Sequence, residues 1–241
     1  MERLLSDRRA TSAERAPGSA RHVVWDWNGT LLDDFPQVVL AADRAARDVL
    51  GRGLDADDYR RCYARPVRRL YENLVGRSLT EPEWSTLNQR YHDTYRAQLT
   101  SVRPAPDARA ALATVRAAGV TQSLLSMWAH EELVALVGQL GLGDGFVGLD
   151  GLPSSAAGER KAPWLARHLE RLRSGPLPHL EPAAVLVVGD SLDDAAAAAE
   201  VGARAILVDG GSHHVADLEA TGVPVATSLL GALALAGIGG G

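Results

Sequence analysis

The sequence predicts an α/β protein in which a parallel β-sheet is flanked by helices and a helical segment is inserted after the first strand. Beyond residue 105, short apolar runs alternate with helical patterns, which is the arrangement that builds a parallel sheet. Between residues 35 and 103, by contrast, strand signals are weak and helical periodicity dominates. The chain has 241 residues, 46% of them hydrophobic, so it is long enough to bury a substantial core.

The first strand is predicted at 22–27, where HVVWDW is rich in β-branched and aromatic residues and is followed by a turn-like Asn-Gly-Thr. Helices are predicted next at 38–50 and 81–99, separated by a glycine-containing break at 51–53. We therefore expect one α/β core made of residues 21–34 and 104–236. A helical cap of residues 35–103 is expected to interrupt it.

The second part of the chain is predicted to repeat the strand–helix alternation. Strands are expected at 120–126, 146–149, 183–188 and 205–208. Helices are expected at 107–118, 130–140, 162–172, 193–201 and 214–220. The run at 183–188 is almost continuously apolar, which is typical of a strand that is buried on both faces.

Composition narrows the partners and the compartment. The net charge is −5, so no basic field indicates nucleic acid, and no apolar run approaches the ~20 residues that span a bilayer. The lone Cys62 has no partner for an internal disulfide, which favours a cytoplasmic location. Residues 1–20 lack the apolar centre of a signal peptide and are expected to be a disordered extension; residues 237–241 are expected to be a loose glycine tail. Oligomeric state is left open.

Polar residues are predicted at the carboxyl ends of three strands, where open α/β sheets carry their active sites: Asp26, Ser126 and Asp190. The Asp26 carboxylate could attack phosphorus, and the loop of Gly29 and Thr30 could bind a phosphate through backbone NH groups. Alternatively, Asp26 only forms a turn, as aspartate commonly does after strands. The Ser126 hydroxyl could donate a hydrogen bond to a phosphoryl oxygen, or could be an ordinary serine at the edge of the core.

An acidic loop follows the most hydrophobic strand. Asp190, Asp193 and Asp194 would repel one another without a cation, and hard carboxylate oxygens suit Mg²⁺. The alternative is that Ser191 or Asp193 only caps the next helix.

Lys161 is the only lysine, although the chain is rich in arginine. Lysine presents a compact point charge where arginine presents a broad planar fork, so Lys161 is a candidate for neutralising a phosphate. Chance survival on a solvated helix face is the alternative. In the cap, Arg65 lies in an arginine-rich stretch and could contact an anionic substrate group, although an exposed charged face would give the same pattern. Trp128 could line a pocket or pack against the next helix.

Together these residues resemble the four motifs of the haloacid dehalogenase superfamily. The segment D-W-N-G-T-L-L-D from Asp26, the serine at 126, the lysine at 161 and G-D-S-L-D-D around Asp190 occur in the order typical of that superfamily. The resemblance extends over about residues 23–225. It implies a Rossmann-like core, and the inserted segment resembles the cap of the phosphoglycolate-phosphatase-like branch.

The resemblance implies a Mg²⁺-dependent phosphatase acting on a small phosphorylated molecule. Asp26 would form an aspartyl-phosphate, and Mg²⁺ would be held by Asp26, Asp190 and the backbone carbonyl of Asn28. Asp194 would support the metal's water shell or orient Lys161. The residues expected to bind substrate or its phosphoryl group are Gly29, Thr30, Arg65, Ser126, Met127 and Lys161.

Asn28 departs from the superfamily pattern, because phosphatases of this type usually carry a second aspartate there as acid and base. An amide cannot exchange a proton near neutral pH, so help typically worth ~10²–10⁴-fold must be lost or supplied elsewhere. Three explanations are open: the substrate needs no proton; a nearby group such as Asp33, Asp34, His130 or a cap residue replaces the acid; or hydrolysis is lost. A phosphate-binding module and a phosphotransferase are therefore the alternative functions.

Overall fold

A computed structural model describes residues 20–153 and 160–239, and within them the fold is the predicted α/β architecture. Six parallel strands form one sheet in the order β5-β4-β1-β6-β7-β8, and a separate antiparallel pair joins β2 to β3. The strands are β1 His22–Trp25, β2 Leu32–Asp33, β3 Arg103–Pro104, β4 Thr121–Ala129, β5 Phe146–Leu152, β6 Val185–Gly189, β7 Arg204–Val208 and β8 Val225–Ala226.

The helices fall into two groups along the chain. Those between β2 and β3 are α1 Phe35–Leu50, α2 Ala56–Cys62, α3 Arg68–Val75 and α4 Glu81–Gln98. Those after β3 are α5 Ala108–Ala117, α6 His130–Gln139, α7 Lys161–Arg173, α8 Leu192–Val201, α9 Val215–Glu219 and α10 Leu229–Leu235. No helix of the described residues is long and apolar enough to cross a membrane.

The central strand β1 places the candidate site. Trp25 pairs with Leu124 of β4 on one side and with Val188 of β6 on the other. The backbone N–H of Asp26 then donates to the Val188 carbonyl at 2.8 Å, so Asp26 directly follows the last paired residue. Because the three strands are parallel, the residues that follow them meet at one edge of the sheet.

Apolar side chains cover both faces of the sheet, as the alternation of each strand requires. On one face, Val24, Leu125 and Val187 pack under α7 and α8. On the other face, Trp25 and Val188 pack in the larger cluster, which continues under α5, α6 and α10 and into the helices of residues 35–98. Val185–Gly189 is buried at every position, which explains its unbroken apolar sequence.

The β2–β3 pair lies where the chain leaves the sheet region and returns to it. Leu32 pairs with Pro104 and Asp33 with Arg103. Pro36 in the first turn of α1 fits a helix start, and the left-handed Gly51 ends that helix. The inserted helices thus begin and end at adjacent points of the fold.

The structure corrects the predicted end of the fourth strand. β4 continues from Thr121 to Ala129, so Ser126 lies within it rather than at its terminus. The regular pairing with β5 is interrupted between Leu125 and Ala129, and the Trp128 N–H donates to the Ser126 hydroxyl instead. A bulge of this kind redirects side chains near an active site and leaves little trace in the sequence pattern.

Two residues near the limits of the described part of the chain lie in the core. Ala20 and Ile238 are both buried, although they belong to the stretches interpreted as a disordered extension and a glycine tail. Ile238 packs in the large cluster beside α10, a helix that was not predicted from the sequence. The rest of the predicted extension, residues 1–19, and residues 240–241 lie outside the described residues.

Candidate active site

A buried ion-pair cluster lies at the carboxyl edge of the central strands. The Lys161 ammonium, at the first turn of α7, donates to Asp26 Oδ1 and to Asp194 Oδ1, each at 2.5 Å. The second oxygen of Asp194 accepts from the backbone N–H and the hydroxyl of Ser191, at 3.1 and 2.6 Å. Asp194 therefore caps α8 and fixes Lys161 at the same time.

Asp193, the alternative acid in this loop, has another contact. Its Oδ2 accepts from the backbone N–H of Lys161 at 2.9 Å. The two neighbouring carboxylates thus hold the same lysine residue, one through its main chain and the other through its side chain.

Asp190 lies opposite, in a space that only glycines leave open. Its Oδ2 accepts from the Ser212 N–H at 2.8 Å. A Cβ on Gly29 would approach that oxygen to 2.6 Å, and a Cβ on Gly211 would approach it to 1.9 Å. Gly29 also has φ +69°, a region that L side chains rarely adopt. The glycines therefore allow two loops to close around one carboxylate.

The electrostatics of the cluster suit a divalent cation. Asp26, Asp190 and Asp194 each offer an oxygen, all within 4.8 Å of one another. Burial, with the charge of Asp194 added, raises the pKa of Asp26 to about 6 despite Lys161, and burial with the charges of Asp26 and Asp194 raises the pKa of Asp190 to about 8. When they are ionised, three carboxylates held this close to one ammonium leave a net negative charge in the cluster. A divalent cation would balance that charge, and Mg²⁺ prefers hard oxygen donors of this kind.

Lys161 and Asp194 keep their charges inside this cluster. Burial alone would lower the pKa of Lys161, but Asp194 and Asp26 raise it overall. Burial would likewise raise the pKa of Asp194, but the charge of Lys161 and the hydrogen bonds from Lys161 and Ser191 lower it overall. The pair is thus ionised, and its lysine is only 2% exposed.

Asn28 belongs to a second buried group, which joins the loop after β1 to the inserted helices. Its Nδ2 donates to Asp34 Oδ2 at 2.7 Å and to the Tyr95 hydroxyl at 2.8 Å. Tyr95, in α4, donates to the same Asp34 oxygen at 2.6 Å, and the Gly29 N–H donates to Asp34 Oδ1 at 2.9 Å. Burial raises the pKa of Asp34 although these hydrogen bonds oppose the shift. The amide nitrogen of Asn28 is therefore held by two polar groups of the protein.

Of the other predicted phosphate-binding residues, two line the cavity and two do not. Ser126 and Met127 lie on the wall of the cavity that the cluster faces. Gly29 and Thr30 are absent from that wall as far as the described residues define it. Instead the Gly29 N–H is engaged by Asp34, and the Thr30 hydroxyl donates to Asp26 Oδ2 at 3.3 Å.

Arg65 enters the same cavity from the segment between α2 and α3. Its Nε is buried and has no hydrogen-bond partner among the described residues. Burial would lower the pKa of Arg65, but acidic groups around it, among them Tyr63, Asp193 and Asp26, raise it overall. By contrast, the neighbouring Arg68 pairs with Glu72 and Glu81. Arg65 is thus a charged donor that lies over the cluster.

The cavity has a volume of about 570 Å³ and lies between the sheet edge and the inserted helices. Its floor is the cluster of Asp26, Lys161, Asp190 and Asp194. Its opposite wall carries rings from the inserted helices, which are Tyr59, Tyr63, Trp84, Tyr91, His92 and Tyr95. Trp128 completes the wall from β4, as one of its two interpretations predicted.

Sequence reasoning named Ser191 as a candidate helix cap, which it is in α8, but did not identify Tyr95 or Ser212 as neighbours of the site. Tyr91 and Tyr95 lie four residues apart in α4, so a ring stripe on one helix face was a visible signal. Nothing in the sequence indicated that this face would be turned toward Asn28. The backbone contact of Ser212 likewise depends on the chain returning after β7.

Comparison with known proteins relates this geometry to a family. The model of haloacid dehalogenase-like hydrolases matches residues 20–202. A phosphoglycolate phosphatase of Vibrio vulnificus (strain CMCP6) is 27% identical over 225 residues, which cover 86% of this chain and 88% of the relative.

Solved structures agree on the fold. A haloacid dehalogenase-like hydrolase from Streptococcus pneumoniae superposes with a TM-score of 0.69 at 20% identity, covering 90% of this chain and 98% of its own. CbbY from Rhodobacter sphaeroides, in complex with phosphate, superposes with a TM-score of 0.66 at 16% identity, covering 87% and 95%. At these identities the likeness extends to the fold and not to the substrate.

Proposed function

Because this chain belongs to the haloacid dehalogenase-like hydrolases, we propose that it is a Mg²⁺-dependent phosphatase that uses Asp26 as its nucleophile on a small phosphorylated molecule. The observation that carries the proposal is the convergence of Asp26, Lys161, Asp190 and Asp194 on one cavity floor. The phosphoglycolate phosphatase name of a relative supports the same class of reaction.

The metal would be held by Asp26, Asp190 and the backbone carbonyl of Asn28. When bound, Mg²⁺ would offset the repulsion between the anionic nucleophile and the anionic phosphate. Both oxygens of Asp194 are engaged by Lys161 and Ser191, which favours the role of orienting Lys161 over direct contact with the metal.

In the first step, an Asp26 oxygen would attack phosphorus and the ester oxygen would leave with the electron pair of its bond to phosphorus. Lys161, Ser126 and the unpartnered Nε of Arg65 would stabilise the negative charge that develops on the phosphoryl oxygens. In the second step, water would attack the aspartyl-phosphate, releasing inorganic phosphate and restoring Asp26.

Turnover of 4-nitrophenyl phosphate with and without Mg²⁺ tests the proposal. We expect phosphate release that requires Mg²⁺ and falls at least ~10³-fold in Asp26→Asn. The matched control is Asp48→Asn, which removes an exposed carboxylate on α1 and should retain activity. Activity that is independent of Mg²⁺, or retained in Asp26→Asn, would contradict the proposal.

Phosphate binding without turnover is the second candidate, and the engaged amide of Asn28 favours it. An amide releases no proton near neutral pH, and Nδ2 is already hydrogen-bonded to Asp34 and Tyr95, so position 28 has no proton to give to a leaving alcohol. This alternative predicts that phosphate and Mg²⁺ raise the Tm of the protein while no ester in a broad panel is hydrolysed.

A further inference from the structure

The cavity is larger than a minimal phosphorylated acid requires. Its volume of about 570 Å³ equals roughly twenty water molecules at ~30 Å³ each. A phosphate on a two-carbon acid has nine non-hydrogen atoms, so about half of this space would be left to water. Cavities of this size typically enclose a ligand with several more carbon atoms.

The space beyond the cluster is walled by rings. Tyr91 and Tyr95 are stacked with centroids 6.0 Å apart and planes at 4°, and Trp128 meets Tyr95 edge-on at 5.9 Å. Tyr59 and Tyr63 stack at 5.5 Å on the cap side. Rings held by other rings form flat, preorganised surfaces, and flat apolar groups pack best against them.

Charge in that outer space is already balanced. Arg96 donates from two guanidinium nitrogens to Glu132, with Nη2 at 2.9 Å from Oε1. Burial and the charge of Arg96 lower the pKa of His92, which leaves that imidazole neutral at pH 7. Of the two arginines that line the cavity among the described residues, Arg65 keeps an unpartnered Nε, which is assigned above to the phosphoryl oxygens. A carboxylate at the far end of a substrate would therefore meet only Arg96, which is already paired with Glu132.

Position 28 adds a chemical constraint. Because the side chain of Asn28 is an amide, which releases no proton near neutral pH, a leaving oxygen cannot obtain a proton from it. Its Nδ2 lies instead within hydrogen-bond distance of Asp34 and Tyr95. A phenol has a pKa near ~10 and an unactivated hydroxyl is closer to the ~15.7 of water, so an aryl oxygen leaves more readily as an anion. The wall and the missing acid thus select the same kind of leaving group.

We propose that the preferred substrate is a phosphate monoester of a planar, aromatic hydroxyl compound, with its ring against Tyr91, which stacks on the buried Tyr95, and beside Trp128. This inference rests on the proposed phosphatase function. The bond between phosphorus and the aryl oxygen breaks as Asp26 bonds to phosphorus. The aryloxide keeps the electron pair and takes a proton from water, and a second water then releases phosphate from Asp26.

The test compares 1-naphthyl phosphate, cyclohexyl phosphate and phosphoglycolate in the presence of Mg²⁺. We expect kcat/KM for 1-naphthyl phosphate to exceed that for either of the others by at least ~100-fold. Cyclohexyl phosphate keeps the bulk of a ring but has an alcohol leaving group, so it separates size from leaving ability. Equal or higher kcat/KM for phosphoglycolate would overturn the inference while leaving the phosphatase function intact.

A second readout removes the intrinsic reactivity of aryl esters. In the Asp26→Asn protein, calorimetry should give a Kd for 1-naphthyl phosphate at least ~10-fold lower than that for phosphoglycolate. Tyr91→Ala, made in the same background, should raise the naphthyl Kd about 10-fold, and the matched Tyr91→Phe should keep it, since stacking rings contribute ~0.5–1.5 kcal/mol. If 1-naphthyl phosphate binds no more tightly than phosphoglycolate, the inference is overturned. If the unaltered protein releases phosphate from no ester, both the phosphatase function and the inference are overturned.

Discussion

At position 161, the geometry of the buried cluster explains why the residue is a lysine and not an arginine. Its ammonium is 2% exposed and lies 2.5 Å from oxygens of both Asp26 and Asp194. A longer, planar guanidinium cannot occupy that point without displacing one of the carboxylates. This gives a physical reason for a lysine in a chain whose other basic residues are arginines.

We therefore expect Lys161→Arg to lower kcat about 100-fold or more, because the cation would be misplaced. We expect Lys161→Met to lower the free energy of unfolding by about 3–5 kcal/mol, because it leaves the buried carboxylates of Asp26 and Asp194 unpaired. Phosphate release and urea unfolding measure the two effects. The neighbouring Arg160→Ala is the control, because the Arg160–Glu200 pair is exposed and such pairs contribute ~0–1 kcal/mol. Equal losses from both positions would show that burial of the Lys161 pair has no special role.

Asn28→Asp tests whether the reaction is limited by the lack of a proton donor at position 28. It would place a carboxyl group where Nδ2 now lies 2.7 Å from Asp34 Oδ2, and two carboxylates at that distance share a proton. An acid held in this way can protonate a leaving alcohol. We expect kcat/KM for alkyl phosphates to rise about 100-fold or more and that for aryl phosphates to change much less, as steady-state kinetics would measure.

The exchange variant Asn28→Asp with Asp34→Asn controls for repulsion. It keeps one amide and one carboxyl group in contact, so the protein should remain as stable as the original while the acid faces the cavity. If neither variant gains alkyl phosphatase activity, the missing acid is not what limits the reaction.

At the scale of elements, the sequence predicted what depends on local pattern. Strand β1, the buried strand β6 and the inserted helical segment follow from apolar runs, periodicity and turn residues. Asp26 and Asp190 could be placed together because parallel strands share one edge. The family model is consistent with this reading over residues 20–202.

Contacts between distant elements could not be predicted in this way. The hydrogen bond from Tyr95 to Asp34 joins residues 61 positions apart, and the bulge in β4 depends on how β5 pairs with it. Both result from the packing of one whole element on another. The same limit applies to Arg65, whose unpartnered Nε is evident only once the inserted helices lie over the sheet.

The contacts that join α4 to the rest of the protein differ in burial and should differ in energy. Tyr95→Phe removes a buried donor to Asp34, so we expect it to lower the free energy of unfolding by about 1–3 kcal/mol. Arg96→Ala removes an ion pair with Glu132 whose side chains are 47% and 30% exposed, so we expect a loss of ~1 kcal/mol or less. Urea unfolding of both proteins measures the difference. A larger loss for Arg96→Ala would contradict the assignment of Tyr95 as the main polar link between α4 and the loop after β1.

For the whole molecule, the active-site cluster opposes stability while the rest of the core supplies it. Asp26, Asp190 and Asp194 are buried together with one ammonium, and the sheet is packed on both faces by apolar clusters. Without the proposed cation, these carboxylates repel one another when they are ionised. The stability of the metal-free protein should therefore depend on whether these carboxyl groups are protonated.

The sign of that dependence follows from the pKa of Asp190, which rises from 3.8 in an exposed carboxyl group to about 8 in the folded protein. The folded state then binds more protons than the unfolded state, so its contribution is fully present below pH 3.8 and is lost as the pH rises toward 8. Asp190→Asn removes this titrating carboxyl group. Between pH 3.8 and about 8 we therefore expect the free energy of unfolding of the metal-free unaltered protein to fall relative to that of Asp190→Asn, by at most ~1.4 kcal/mol per pH unit. Excess Mg²⁺ binds the ionised form and should raise the Tm of the unaltered protein more at pH 8 than at pH 5. Thermal unfolding with EDTA or Mg²⁺ at several pH values measures both effects, and an increase in Tm that was equal at pH 5 and pH 8, or the same in Asp190→Asn, would show that Asp190 does not couple the metal to the fold.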